Sequence, residues 1–224
     1  MQQMSMTTPR RKSWLTIKED DSNVVKLPVE GRLRFYHQTT TKAEFDEMNG
    51  WPILKALAPI ILYFRPFCVV ELGAGESTPI LAEAAERMNV KMYSCDILEE
   101  KRVEYFEGHK YYKMISEEFM EQFDDMPAIV FIDADHAYEM VWREFMFFYK
   151  RLVTNGVIFM HDTLPPHELF LSESSCHTSY KVRQTIEKYR EELDCDVFTW
   201  PYTAIFCGLT MVMKKDPERP DFAF

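Results

Sequence analysis

Glycine is scarce in this chain, with 7 residues in 224, and its five cysteines form no CxxC pair. Glycine-rich linkers, collagen-like repeats and the common zinc or dithiol spacings are thereby excluded. Long hydrophobic runs are missing too. The richest, Trp51 to Phe64, has 14 residues and contains Lys55 and Pro59, too short to cross a bilayer. Met1 to Lys18 lacks the apolar stretch of a secretory signal, so a cytoplasmic protein with reduced thiols is expected. There is no internal repeat and no Pro/Gly/Ser linker after residue 30. The organisation expected is an N-terminal arm over residues 1–40, partly flexible, followed by one domain over 41–224.

What the chain does have is aromatic bulk, with 17 Phe and 11 Tyr, and an acidic balance with a net charge of −10. Four of the 26 basic side chains, Arg10, Arg11, Lys12 and Lys18, sit in the first 18 residues without an acid, leaving 22 against 36 acids elsewhere. Such a body repels a nucleic-acid duplex, so no nucleic-acid partner is expected and any contact with phosphate falls to the basic arm.

The elements alternate. Phe67 to Leu72, Val90 to Cys95 and Tyr111 to Ile115 have strand length and β-rich composition. Pro127 to Asp133 and Gly156 to Met160 are nearly continuous apolar runs, the pattern of central parallel strands covered on both faces. Helical stripes lie between them. Leu81, Ala84, Ala85 and Met88 mark one, Val141, Phe145, Phe148, Tyr149 and Leu152 a second, and Val182, Ile186, Tyr189 and Leu193 a third. Thr78 before Pro79 suits a helix start, with Thr as the cap. Cys195 to Trp200 and Gly208 to Met213 read as closing strands. The fold expected is α/β, a Rossmann-like, doubly wound, mostly parallel seven-stranded sheet with a terminal antiparallel strand and helices on both faces.

The sharpest chemical signal is Glu71-Leu-Gly73-Ala-Gly75-Glu-Ser77-Thr78, a strand ending in an acid, two glycines and a helix start. A dinucleotide fingerprint needs a third glycine where Thr78 stands, which disfavours a nicotinamide-dependent oxidoreductase, and there is no Walker loop. Asp96 ends the next strand, where a doubly wound fold puts a carboxylate against ribose hydroxyls. Asp133, Asp135, His136, His161 and Asp162 gather five ionisable groups at the ends of the two central strands. That edge is where such folds bind ligands.

These motifs, with Phe131-Ile-Asp-Ala-Asp-His-Ala-Tyr138 and Gly156-Val-Ile-Phe-Met-His-Asp-Thr163, resemble those of the class I S-adenosylmethionine-dependent methyltransferases. Within them the chain is most similar to the small-molecule and sugar O-methyltransferases, over about residues 48–214. The resemblance implies S-adenosylmethionine as cofactor, its methionine part against Glu71, Gly73, Gly75 and Ser77, its ribose on Asp96, with Ser116 near the adenine and Asp133 closing the site. It also implies methyl transfer to a hydroxyl of a small molecule, plausibly a sugar or sugar-containing metabolite, with Mg²⁺ or another divalent cation on Asp133, Asp162 and His161, Thr163 being the alternative beside them. His161 is a softer ligand than Mg²⁺ prefers.

The catalytic base is either His136, which titrates near neutrality, or Asp135. Each has a plainer reading. Asp135 or His136 would cap the helix starting near Tyr138, Ser116 would be an N-cap, His161 a core residue, and Trp51 and Phe64 core aromatics. Leu164 to Thr178 is long enough to be a lid over the acceptor, with His167 a candidate contact. Residues 19–47 carry no readable motif and are left to cofactor cover or a homo-oligomer interface. The rival from another class is a non-catalytic binding or structural protein on the same scaffold.

Overall fold

The computed structural model describes residues 51–99, 103–165, 168–172, 176–200 and 207–216, together with the backbone of three short strands nearer the N-terminus. Those strands, β1 (Thr16–Glu19), β2 (Asn23–Lys26) and β3 (Thr40–Thr41), make a small sheet in the order β2-β1-β3. The basic side chains of the arm, Pro166, His167 and the Pro201-Tyr202 segment lie outside the described residues.

The main sheet has seven strands: β4 (Cys68–Leu72), β5 (Met92–Asp96), β6 (His109–Lys113), β7 (Pro127–Ile132), β8 (Val157–His161), β9 (Cys195–Trp200) and β10 (Leu209–Lys214). Their order is β6-β5-β4-β7-β8-β10-β9. Pairings from β6 through to β8 are parallel, and β10 is antiparallel to both of its neighbours. The expected terminal antiparallel strand is present as β10, the last strand in sequence, which lies between β8 and β9. The chain winds outward from β4 to β6, then crosses back to β7, so strand order reverses between β4 and β7 and opens a crevice at their carboxyl ends.

Side chains alternate across the pleat. Cys68, Val70 and Leu72 of β4, with Val130, Ile132, Ile158 and Met160, pack under one layer of helices, whereas Val69, Ile129, Phe131, Val157 and Phe159 pack under the other. The first layer holds α3 (Ser116–Gln122), α4 (Tyr138–Arg151) and α5 (Tyr180–Lys188), and the second α1 (Trp51–Phe64) and α2 (Ser77–Arg87). Val141, Phe145, Phe148, Tyr149 and Leu152 are all buried, as their spacing predicts. Helix α1 runs through Pro59 and buries Trp51, Leu54, Ala58 and Leu62 along one stripe.

Some expectations are corrected. The third strand is His109–Lys113, two residues earlier than expected, because His109 and Tyr111 turn inward. The last helical stripe is broken at Tyr189, which is exposed, and continues as the short α6 (Arg190–Leu193). Thr78 is not the cap of α2. Glu76 holds that position, and Thr78 lies in the first turn with its hydroxyl turned back to the glycine loop. Phe64 is 65% exposed and no part of the core. Cys176 and Cys207, expected as thiols, are joined in a disulfide, while Cys68, Cys95 and Cys195 are free. Among the described residues no helix is long and apolar enough to cross a membrane.

One buried group stands apart. Glu144 of α4 is fully buried, and neither carboxyl oxygen makes a well-formed hydrogen bond. Burial raises its pKa to about 8, with the Ser116 hydroxyl close enough to temper the shift. Between about pH 4.5 and 8 the native state therefore holds a proton that the unfolded chain has lost, and stability falls as pH rises through that window. Glu144→Gln, uncharged at every pH, is expected to raise the melting temperature by several degrees at pH 8.5 and little at pH 5. Thermal melts at the two pH values check this, and an equal offset at both contradicts it.

Candidate active site

Strand β4 leaves the sheet at Gly73, whose φ is +86°. Its N–H donates to the Cys95 carbonyl at 2.8 Å, and the Asp133 N–H donates to the Leu72 carbonyl at 2.8 Å, so the exits of β5, β4 and β7 are joined side by side. A Cβ on Gly73 would lie 2.2 Å from the Asp133 carbonyl oxygen. Both the left-handed backbone and this approach demand glycine. Gly75 differs: it is exposed, and a Cβ there would meet nothing within 4 Å. Open space beside an exposed loop backbone is room for a ligand to lie close.

The loop is held from beneath by Glu71, which is fully buried. Its carboxylate accepts hydrogen bonds from Ser77 Oγ at 2.6 Å, Ser94 Oγ at 2.6 Å and Thr78 Oγ1 at 3.1 Å. Thr78 Oγ1 in turn accepts the Gly75 N–H at 2.8 Å. Burial pushes the Glu71 pKa up to about 7, against the lowering effect of these hydroxyls. His109 extends the chain. Burial lowers its pKa, and as a neutral ring it accepts the Tyr105 N–H on Nδ1, leaving Nε2–H to donate to Ser94 Oγ at 2.9 Å. The side chains of Glu71 and Ser77 therefore bond each other beneath the loop.

A cavity of about 300 Å³ opens at the ends of β5, β6 and β7, lined by the strand exits that flank the loop and not by Gly73 or Gly75 themselves. Asp96, Ser116, Asp133 and Asp135 line it, with Leu98 and Met140 among its apolar walls. Asp96 Oδ1 accepts the Leu98 N–H at 2.9 Å, fixing that carboxylate at the strand end. Ser116 is the first residue of α3 and follows Ile115 at the N-cap position, so capping is not its role. Asp135 does serve the helix start of α4, its Oδ1 accepting the Ala137 N–H at 2.7 Å, while still facing the cavity.

The remaining ionisable residues meet next to this cavity. His136 Nε2 lies 3.3 Å from Asp133 Oδ1 and 3.8 Å from Asp162 Oδ2. His161 Nδ1 lies 3.4 Å from Asp133 Oδ1 and 3.3 Å from Asp162 Oδ1. Two carboxylates are thus interleaved with two imidazoles. Burial by itself would raise the Asp133 pKa, but His161 and His136 outweigh it and hold the carboxyl at about 2. Ligand atoms of Asp133, His136 and Asp162 lie within 4.8 Å of one another, a spacing that fits one divalent cation. That trio exchanges His136 for the His161 expected as ligand. Thr163 is fully buried with its hydroxyl 2.7 Å from Thr210 Oγ1, turned away from the acids.

Residues that sequence reasoning passed over complete the site. Trp51 is buried as a core aromatic would be, yet it stacks on His161 with centroids 5.3 Å apart and gives its indole N–H to Glu76 at 3.1 Å. Thr178, the last residue of the segment expected as a lid, and Ser179, just beyond it, hold the loops of β7 and β8. Thr178 N–H donates to the His136 carbonyl at 3.0 Å, and Ser179 Oγ donates to the Asp162 carbonyl at 2.6 Å. No one-dimensional signal marks these residues, because each acts across a long sequence separation.

Residues 70–163 match a family model described as a methyltransferase domain. No curated protein sequence matches the chain. Among solved structures, the chain resembles the O-methyltransferase TomG of Streptomyces achromogenes, involved in tomaymycin synthesis and solved with SAM, at 17% identity and TM-score 0.53, covering 74% of this chain and 80% of that one. An O-methyltransferase of Bacillus cereus in complex with SAH gives 16% identity and TM-score 0.52 over 73% and 81%. A SAH-bound methyltransferase of Podospora anserina gives 14% and 0.52 over 76% and 88%. At these identities the likeness is one of fold.

The two glycines separate fold from ligand. Gly73→Ala is expected to destabilise the protein by about 3 kcal/mol or more, from the left-handed backbone and the overlap with Asp133. Gly75→Ala is expected to melt within about 2 °C of the parent, since its Cβ enters open space. Denaturant melts of the two variants decide it, and similar losses in both contradict the assignment.

Proposed function

We propose that this chain, a class I S-adenosylmethionine-dependent methyltransferase by its fold and family match, transfers the methyl group to a hydroxyl of a small molecule, a sugar or sugar-containing metabolite being the class we favour. The observation that carries the reading is the adjacency of a loop-side cavity and a carboxylate–imidazole cluster at the point where strand order reverses. The cofactor in this proposal lies along Gly73 and Gly75, with its ribose on Asp96 and its adenine beside Ser116. Glu71 and Ser77 contribute by holding the loop from beneath. The O-methyltransferases of similar fold, solved with SAM or SAH, support this use of the crevice.

An alcohol is a poor nucleophile at neutral pH, so the acceptor oxygen must lose its proton as the methyl group arrives. His136 is the base we favour. Its Nε2 faces Asp133, a carboxylate held ionised, and that charge stabilises the imidazolium formed when the hydroxyl proton moves to the ring. Asp135, already tied to the Ala137 N–H, is the less suited alternative. Transfer is direct and in line, from sulfur to oxygen, without a covalent enzyme intermediate. Enclosure by Trp51 and the 176–179 turn orients the reactants and keeps water out.

Asp133, His136 and Asp162 also suit a divalent cation, and the mixed oxygen and nitrogen donors favour Mn²⁺ or a later transition metal over Mg²⁺. Such a cation, when bound, lowers the pKa of a coordinated hydroxyl. A neutral His136 that ligates a cation through Nε2 carries its own proton on Nδ1 and keeps no lone pair to take another, so the two uses of that ring exclude each other.

Calorimetric titration with S-adenosylmethionine and S-adenosylhomocysteine, with NAD as control, tests the cofactor. Binding of the adenosyl ligands alone is expected. Asp96→Ala should weaken it by about 10- to 100-fold, the worth of a hydrogen bond to a charged group, and Gly75→Ala should weaken it while leaving the fold intact. Asp133→Ala and His136→Ala are both expected to lose turnover, and His136→Ala to keep cofactor affinity, since His136 does not line the cavity. Absence of adenosyl binding favours the non-catalytic scaffold, and unchanged turnover in both variants removes the cluster from the mechanism.

A further inference from the structure

The disulfide between Cys176 and Cys207 lies against the carboxylate–imidazole cluster. The Asp162 carboxylate is within 4.8 Å of both sulfurs. Both cysteines are buried and pack with Phe170. Cys207 stands two residues before β10, at whose first position Leu209 pairs with His161, and the Cys207 carbonyl accepts the Leu164 N–H. The bond therefore joins the return from β8 to the start of β10 on one side and to the 176–179 turn on the other.

That turn grips the site in three places. Thr178 N–H donates to the His136 carbonyl at 3.0 Å, Thr178 Oγ1 accepts the Tyr138 N–H at 2.7 Å, and Ser179 Oγ donates to the Asp162 carbonyl at 2.6 Å. Ser179 Oγ also reaches the Cys176 carbonyl at 2.8 Å, linking the cysteine's own backbone to the grip. Two residues in this path hold left-handed backbones without being glycine: Asp162 at φ +55° and His177 at φ +41°. Such conformations persist only where their surroundings enforce them.

We propose that the Cys176–Cys207 bond is a positioning element of the active site, fixing the 176–179 turn and through it the backbone of His136 and Asp162. This rests on the methyltransferase reading of the cluster. The cavity assigned to the cofactor is lined from the exits of β5, β6 and β7 and from α3 and α4, with none of the described residues of the 164–179 segment. Loss of the bond thus acts on the acceptor side and spares the cofactor side. Both sulfurs are buried, so breaking the bond to test this role calls for a small dithiol that reaches them. The dithiol supplies two electrons and two protons, the sulfur–sulfur bond becomes two thiols, and the reductant leaves as its own disulfide. Burial pushes the thiols of Cys68, Cys95 and Cys195 up to about 12, 12 and 11, so they hold little of the thiolate that exchange needs.

The test compares the full chain as purified without reductant, after dithiothreitol, after reoxidation, and as the double variant Cys176→Ser, Cys207→Ser. Thiol titration in denaturant is expected to count three thiols before reduction and five after. Amide exchange of residues 136–138 and 162–164 is expected to quicken at least tenfold on reduction and to return on reoxidation. Mn²⁺ affinity should fall about tenfold in parallel, while S-adenosylhomocysteine affinity stays within twofold. Five thiols in the purified chain, or exchange unchanged by reduction, overturns the proposal. Failure of the methyltransferase reading looks different: S-adenosylhomocysteine then binds in neither redox state, and exchange still decides the tether. Should the double variant not fold, the reduced and reoxidised parent protein carries the comparison.

Discussion

Where β4 leaves the sheet there is no space for a side chain. The Gly73 backbone runs against the Asp133 carbonyl at the exit of β7, and the site is arranged around that approach. Strand order reverses between these two strands, so their exits diverge above and leave a crevice. Bringing the exits together at Gly73 sets the distance between the loop that would carry the cofactor and the acids at the ends of β7 and β8. The flanking hydrogen bonds, Gly73 to Cys95 and Asp133 to Leu72, extend the sheet by one residue beyond its formal end.

Beneath that contact sits a carboxylate with no access to water. Glu71 is stabilised by three hydroxyls, and the same hydroxyls connect it to Gly75 on one side and His109 on the other. Buried polar groups are tolerable when every member of the network is satisfied. Here the network serves as the floor of the loop, which explains why an acid at a strand end need not face the ligand. Glu144 is the contrasting case, buried without a well-formed partner and kept neutral over much of the accessible pH range.

Above the contact the electrostatics run the other way. Asp133 is pulled below the ordinary carboxylate range because His136 and His161 stand on either side of it. Two carboxylates and two imidazoles in one half-buried place make the cluster suited to moving a proton or holding a cation. The Trp51 ring against His161 and the disulfide beside Asp162 give the cluster a rigid enclosure, drawn from α1 and from the approach to β10.

The sequence by itself determined the alternation of elements, both central strands, the α4 stripe and the residue types at the strand ends. Each of these is written in local periodicity or in a short motif, and burial on both faces leaves a continuous apolar run such as Pro127 to Ile132. It did not determine that Glu71 turns beneath the glycine loop instead of towards a ligand, because the motif does not show how the pleat and α2 orient its side chains. Nor did it reveal Trp51 against His161, Ser179 on Asp162, or the pairing of Cys176 with Cys207. These contacts span 17 to 110 residues, and no local pattern encodes which distant segments the sheet will bring together. The closure of β10 beside β8 decides the last of them, since it carries Cys207 to the cluster, and the packing of α1 on the sheet decides the first.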